Sequence, residues 1–307
     1  MAADKQLRTR PSSVPITKKL PINWSRHIGS VVSHGILTSY SILALFPMVL
    51  ILINSFKDRL SLFRAPYQPP IWFSFENGGF SIVNIASTKG YDQVFARADV
   101  LSYFGTSFIV TSVSLFLILL TGAMASYALA EYRFRGNRYL GLYMALGIMI
   151  PIRLGTVSLI HITSTLGIYN TILALILVYT AGGLPIGVFI MSNFMRQVPA
   201  ELKDAARVDG ASEYRILFML VLPLIRPALA TVLVFNMIPI WNDLWFPLTL
   251  TPGVLTVTSG LSQFAGQYKT DWTALLAALT MAMIPVLVFY TVFSRQFIRG
   301  LTSGALK

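Results

Sequence analysis

Two charges stand inside otherwise apolar runs, Arg153 and Asp243. A guanidinium is a planar fork of donors that suits carboxylate, sulfonate or phosphate oxygens and also bonds sugar hydroxyls. Asp243 closes a cluster with Asn236, Pro239, Trp241 and Asn242, which mixes amide, indole and carboxylate groups. Such side chains can line a path for a polar solute. They also have structural uses: Arg153 can pair with Asp243 or snorkel to an interface. Trp241 and Trp245 can sit in an interfacial belt, and Pro151 and Pro239 can be simple kinks. An arginine at mid-span costs roughly 2.5–3.5 kcal/mol on the insertion scale, so Arg153 requires one of these explanations. The parts of an enzyme are missing. His27, His34 and His161 are isolated and show no metal-ligand spacing. Cysteine is absent, which removes disulfides and Cys-ligated metals or clusters. There is no G-x-x-x-x-G-K-[ST] and no G-x-S-x-G. No Asp/Glu/His chain suggests a proton relay. The residues point to a chain that passes a solute and is driven by another subunit, with no catalytic or metal site of its own.

The elements that must hold these residues are membrane helices. The chain has 307 residues, 55% hydrophobic and 12% charged, with mean hydropathy +0.66. A soluble domain carries about 25% charged residues. A span needs roughly 20 mostly apolar residues to cross about 30 Å of hydrocarbon, and it must satisfy its own backbone, so each is read as a helix. The charged borders predict an all-α membrane protein with about six spans, at 28–54, 102–128, 139–161, 169–194, 227–250 and 272–293. A tail over 1–27 precedes them, a charged loop over 196–226 separates the fourth from the fifth, and a tail over 295–307 follows. No charge divides spans three and four; Gly167 and Asn170 are the turn signals there.

Lys and Arg placement orients the chain. With both termini inside, the inner segments hold Lys5, Arg8, Arg10, Lys18, Lys19, Arg26, Arg133, Arg135, Arg138, Arg196, Lys203, Arg207, Arg215, Arg226, Arg295, Arg299 and Lys307. The outer segments hold Lys57, Arg59, Arg64, Lys89, Arg97 and Lys269. The net charge of +12 therefore reads as topology rather than nucleic-acid binding. The N-terminal basic run resembles a signal peptide, but the apolar block after it is too long for an h-region, so an uncleaved first span is expected. The outer segment 55–101 contains "APYQPPIWFSFENGGF". It reads either as an interfacial loop with aromatic anchors or as a docking surface.

The loop over 196–226 is built as a short helix and a turn. Pro199 suits a first helical turn. Glu201 and Asp204 lie near its N-terminal end and Arg207 near the other, matching the helix dipole. Gly210 stands where a C-cap wants a left-handed residue. Leu202, Ala205, Ala206 and Asp209 share one face by i, i+3, i+4, i+7 spacing. A helix this short is marginal alone in water and would be stabilised by a groove, on its own bundle or on a partner.

The same stretch resembles the signature of binding-protein-dependent ABC importer permeases, E-A-A-x-x-x-G followed nine residues later by I-x-L-P. Asp204, Ala205 and Ala206 stand at E-A-A, Gly210 at the glycine, and Leu220, Leu222 and Pro223 at I-x-L-P. Asp replaces Glu and Leu replaces Ile. "LGIYNT" (166–171), "VPAELKDAARVDGAS" (198–212), "WNDLWFPLTL" (241–250) and "GLTSGALK" (300–307) are similar to the carbohydrate branch of the family, of the maltose-transporter type. The resemblance implies a type I ABC importer permease fold in a bacterial cytoplasmic (inner) membrane. It implies a second homologous permease, two ATPase subunits that use ATP and Mg, an extracytoplasmic solute-binding protein and a carbohydrate solute. Membrane lipid surrounds the chain and nucleic acid is not a partner. Glu201, Asp204, Ala205, Ala206, Asp209, Gly210 and Pro223 are then the ATPase-coupling residues. Arg153, Asn236, Trp241, Asn242 and Asp243 are the candidates for the solute path. A secondary transporter would need ion-coupling residues or inverted repeats, neither of which stands out. A non-transporting assembly subunit would also be oily and positive-inside.

Because the chain lacks cysteine, single cysteines report its orientation cleanly. Ser212→Cys is expected to react only from the cytoplasm and Thr270→Cys only from outside. Labelling of Ser212→Cys by an impermeant maleimide on intact cells would sink both the orientation and the cytoplasmic role of the loop.

Overall fold

The computed structural model describes residues 24–76, 79–265 and 270–305, and side chains within them outside 24–28, 73–81 and 296–305. The basic residues from Lys5 to Lys19, together with Lys269 and Lys307, lie outside the described residues. The chain divides into two units, 1–49 and 50–307. Helix α1 (Trp24–Ser55) runs through the boundary, and its part Gly29–Ser55 is long and apolar enough to cross a membrane.

The segment after α1 is not a loop. It folds as α2 (Arg59–Arg64), an antiparallel hairpin of β1 (Ile71–Glu76) and β2 (Gly79–Asn84) with Ile71 opposite Asn84, and α3 (Lys89–Arg97). Asp58 caps α2 by accepting from the Ser61 amide at 2.9 Å, and the hydrogen bonds from Ser61 hold its carboxyl below the usual range. Lys57 is fully buried; its Nζ donates to Asn54 Oδ1 at 2.8 Å and to the Ala65 carbonyl at 2.7 Å. Burial pushes its pKa down.

The membrane helices follow. They are α4 (Val100–Glu131), α5 (Asn137–Met149), a 3-10 turn (Ile152–Gly155), α6 (Thr156–Thr165) and α7 (Ile172–Met195). Gly167 and Asn170, between α6 and α7, have φ of +70° and +59°, a conformation that glycine and asparagine tolerate best. The loop then carries α8 (Ala200–Val208), α9 (Glu213–Arg215), a π turn (Ile216–Val221) and α10 (Leu222–Leu224). The chain ends with α11 (Arg226–Trp241), α12 (Trp245–Leu250), α13 (Val257–Ser262) and α14 (Trp272–Ala305).

Two spans read from sequence as single helices are broken. The third turns by 88° at Pro151, between α5 and α6, and a further bend of 80° between α10 and α11 falls at the end of loop 196–226, just before the fifth. Pro151, Pro223 and Pro227 each lack the N–H that a continuous helix requires. The expected fifth span, 227–250, ends as a helix at Trp241 and resumes at Trp245. Among the described residues four helices are long and apolar enough to cross a membrane, or six if each bent pair is one span.

Within residues 50–307 the core is α4 packed along α7, with α11 crossing both and α14 lying on α11. Small residues bring these axes together. A Cβ built on Gly183 of α7 would lie 2.3 Å from Asn236 Oδ1 and 2.4 Å from Ile118 Cδ1. Buried hydroxyls add hydrogen bonds across the pair: Ser114 donates to the Ile176 carbonyl at 3.4 Å and Ser126 to the Val188 carbonyl at 3.2 Å. Gly183→Ala should therefore cost about 1–3 kcal/mol by overpacking. A lower melting temperature of the detergent-solubilised protein is the expected outcome; an unchanged one would refute the close three-helix contact.

Candidate functional site

Helix α8 is stopped by a complete Schellman turn. Gly210 has φ +78°, its N–H bonds the Arg207 carbonyl at 3.0 Å, and the Ala211 N–H bonds the Ala206 carbonyl at 2.9 Å. Ser212 then opens α9, its hydroxyl accepting from the Arg215 amide. Within α8 the inward face is Lys203, Ala206 and Arg207, and the outward face carries Glu201, Leu202, Asp204, Ala205 and Val208, with Asp209 just beyond its end. Leu202 is 46% exposed and Val208 88% exposed.

The inward face is held by ions. Lys203 is buried and pairs with Glu131, the last residue of α4. Arg207 bonds Glu131 Oε1 at 2.8 Å, Asp204 Oδ1 at 2.7 Å and Glu213 Oε1 at 2.8 Å. The hydrogen bonds from Arg207 to Glu213 and then to Glu131 push the guanidinium pKa above its already high ordinary value. The hydroxyl of Tyr127, one turn back on α4, donates to Glu213 Oε2 at 2.7 Å. Removing one member of the nearly buried Lys203–Glu131 pair costs on the order of 3–5 kcal/mol, because the other charge is left uncompensated.

The second cluster surrounds Asp243, which sits buried in the gap between α11 and α12. Its carboxylate accepts from Arg153 Nη2 at 2.9 Å, from the Tyr179 hydroxyl at 2.9 Å, and from the amides of Trp245 and Phe246 at 3.3 and 3.1 Å. The two amides open α12, so the carboxylate serves as its N-terminal cap. The Trp245 indole donates to Thr156 Oγ1 at 2.9 Å, which ties α12 to α6. Arg153, in the 3-10 turn after Pro151, has a side chain 62% exposed, against 4% for Asp243. A cavity of about 280 Å³ opens here, lined by Arg153, Tyr179, Gly182, Gly183, Asn236, Pro239, Asp243 and apolar neighbours.

Three of the five residues expected on a solute path thus meet at one cavity: Arg153, Asn236 and Asp243. The other two do not line it. Trp241 is buried, its indole donating to the Ala282 carbonyl of α14 at 3.2 Å and its ring edge-on to Phe104 at 6.2 Å. Asn242 is exposed at the end of α11. Of the loop residues, Glu201, Asp204, Ala205, Asp209 and Gly210 are exposed, Ala206 is half-buried, and half-buried Pro223 sits at the bend. Sequence reasoning missed Tyr179, one tyrosine in an apolar run. It also missed the partners of Lys203 and Arg207; Glu131 stood out only as the border of a span.

The unequal burial of the Arg153–Asp243 pair sets an order of effects. Asp243→Asn takes the charged acceptor from the Arg153, Tyr179 and two amide donors at a buried position and should cost about 1–3 kcal/mol. Arg153→Gln removes a mostly exposed charge and keeps a donor, while the Tyr179 hydroxyl and two amides still compensate the buried carboxylate, so its cost should be smaller than that of Asp243→Asn. Thermal melting at matched expression measures both; equal losses would contradict the capping role of Asp243.

Residues 118–303 match the family model described as "Binding-protein-dependent transport system inner membrane component". The diacetylchitobiose uptake system permease protein NgcG of Streptomyces coelicolor is 32% identical over 282 residues, 91% of this chain and 89% of that one. The arabinooligosaccharides transport system permease protein AraQ of Halalkalibacterium halodurans is 31% identical, covering 86% of this chain and 92% of that one. Among solved structures, a chain of a bacterial ABC transporter that imports the acidic polysaccharide alginate superposes with TM-score 0.72 at 20% identity, over 92% of this chain and 100% of that one. A chain of the MetNI methionine ABC transporter gives TM-score 0.51 at 19% identity, over 67% of this chain and 95% of that one. The broken spans and the short capped helix are thus set in the fold of ABC importer permeases, and this chain belongs to the family of inner-membrane permease components of binding-protein-dependent transport systems.

Proposed function

We propose that this permease carries a carbohydrate, and that it forms the translocation path together with a second, homologous permease. Two ATPase subunits, which bind ATP and Mg, drive the pair from the cytoplasm, where both termini of this chain also lie. An extracytoplasmic binding protein delivers the sugar. The names of NgcG and AraQ, an oligosaccharide permease each, support the solute class. The solved alginate importer in complex with an alginate-loaded periplasmic protein supports the general partner pattern.

The observation that carries the coupling role is the two-sidedness of α8. Its inward face is consumed by ion pairs with its own bundle, and Glu201, Leu202, Ala205 and Asp209 are left to face outward. This outward face fits a cleft on an ATPase subunit. ATP binding draws the two ATPases together, α8 moves with its ATPase, and the cavity beside Arg153 alternates its access. Each ligand, ATP and the loaded binding protein, must bind one state better than the other for this to occur. Arg153, with an exposed guanidinium edge at the cavity, offers donors to the solute hydroxyls.

Two experiments test the reading. Vanadate, which traps ABC ATPases, should abolish uptake by cells carrying the complete system. Gly210→Val should leave the protein in the membrane and stop transport, because a β-branched residue is ill suited to φ +78° and the end of α8 would shift. Normal uptake by this variant at matched expression would refute the coupling role.

A further inference from the structure

The peptide chain joins α8 to its neighbours on two sides. Backward, the turn Arg196–Pro199 leads to α7; forward, α9, the π turn and the 80° bend lead to α11. Neither joint reaches α4, and Glu131 lies 72 residues before Lys203 in the chain. What attaches α8 to α4 is the ion network. Lys203 and Arg207 of α8 both grip the Glu131 carboxylate, while Arg207 and Tyr127 share Glu213 at the start of α9. One cation touches three carboxylates, and the lysine is buried, so the junction resists sliding and rotation alike.

We infer that Glu131, clamped by Lys203 and Arg207, is the positioning residue through which the movement of α8 enters the membrane along α4. From α4 the movement passes to α7, because Gly122 packs on Met191 and the Ser126 and Ser114 hydroxyls bond α7 carbonyls. Helix α7 carries Tyr179, whose hydroxyl holds Asp243 at the cavity. The latch thus connects the cytoplasmic helix to the solute side by packed helices rather than by the hinge at Pro223. The π turn and the bend absorb the change in angle between α8 and α11 while α4 and α7 move with α8. This inference rests on the coupling role proposed above for α8.

The test uses the complete transporter, both permeases and both ATPases, in proteoliposomes with its binding protein. The quantity read is ATP consumed per solute imported. In Glu131→Gln, hydrolysis is expected to continue while that ratio rises about 10-fold, the size of an ordinary coupling energy. A residue that only stabilises the fold would lower the amount of active complex and leave the ratio unchanged, so an unchanged ratio overturns the inference. If Glu131→Gln does not reach the membrane, Glu131→Cys combined with Lys203→Cys takes its place, the two thiols being joined by a short bis-methanethiosulfonate. The joined protein should couple and the unjoined one should not; the reverse overturns the latch. Gly210→Val is run beside them. If it is uncoupled while Glu131→Gln transports with the normal ratio, only the latch fails; if it too transports normally, the coupling role of α8 fails first.

Discussion

A helix that stops within an apolar span leaves N–H and C=O groups that hydrocarbon cannot satisfy, and every interruption has to be closed by another group. Most of this architecture is an answer to that constraint. Between α11 and α12 the answer is Asp243, whose carboxylate replaces the missing intrahelical acceptors for the Trp245 and Phe246 amides. A buried carboxylate is itself costly, so it is matched by Arg153 and by the Tyr179 hydroxyl. The break therefore gathers polar groups from three separate helical segments at one place. A cavity lies beside that place, bordered by Arg153, Asp243, Pro239 and Gly182.

The loop between α7 and α11 meets the opposite difficulty. A nine-residue helix in water has too few backbone bonds to persist unaided. Here the Schellman turn at Gly210 and the ion pairs to Glu131 and Glu213 supply the missing stabilisation. The turn is local, whereas the pairs to Glu131 reach a residue more than 70 positions earlier in the chain. The helix is thereby ordered while Glu201, Leu202, Ala205 and Val208 stay exposed.

These two clusters also explain why the chain is mostly a matter of α4 and α7. The ion network ends on α4, the cavity is lined by α7, and the helices are joined by serine hydroxyls and glycine contacts along their length. Packed interiors shift between discrete arrangements rather than deforming gradually. A pair this closely fitted would pass on a displacement of α8 of the kind proposed above.

Sequence alone determined what depends on local chemistry and on solvent. The uncharged runs specified membrane helices, since only a self-bonded backbone survives in lipid. Gly210, Gly167 and Asn170 specified their turns, since left-handed backbone excludes most other residues. The signature around Asp204–Gly210 specified the family. Only tertiary structure decided which charges meet. Nothing in the order of residues says that Lys203 reaches Glu131, that Tyr179 reaches Asp243, or that Trp241 turns to α14 while Asn236 turns to the cavity. Those choices depend on how far each helix rotates about its own axis and where a proline lets it bend, and the rotation is settled by packing against helices distant in the chain.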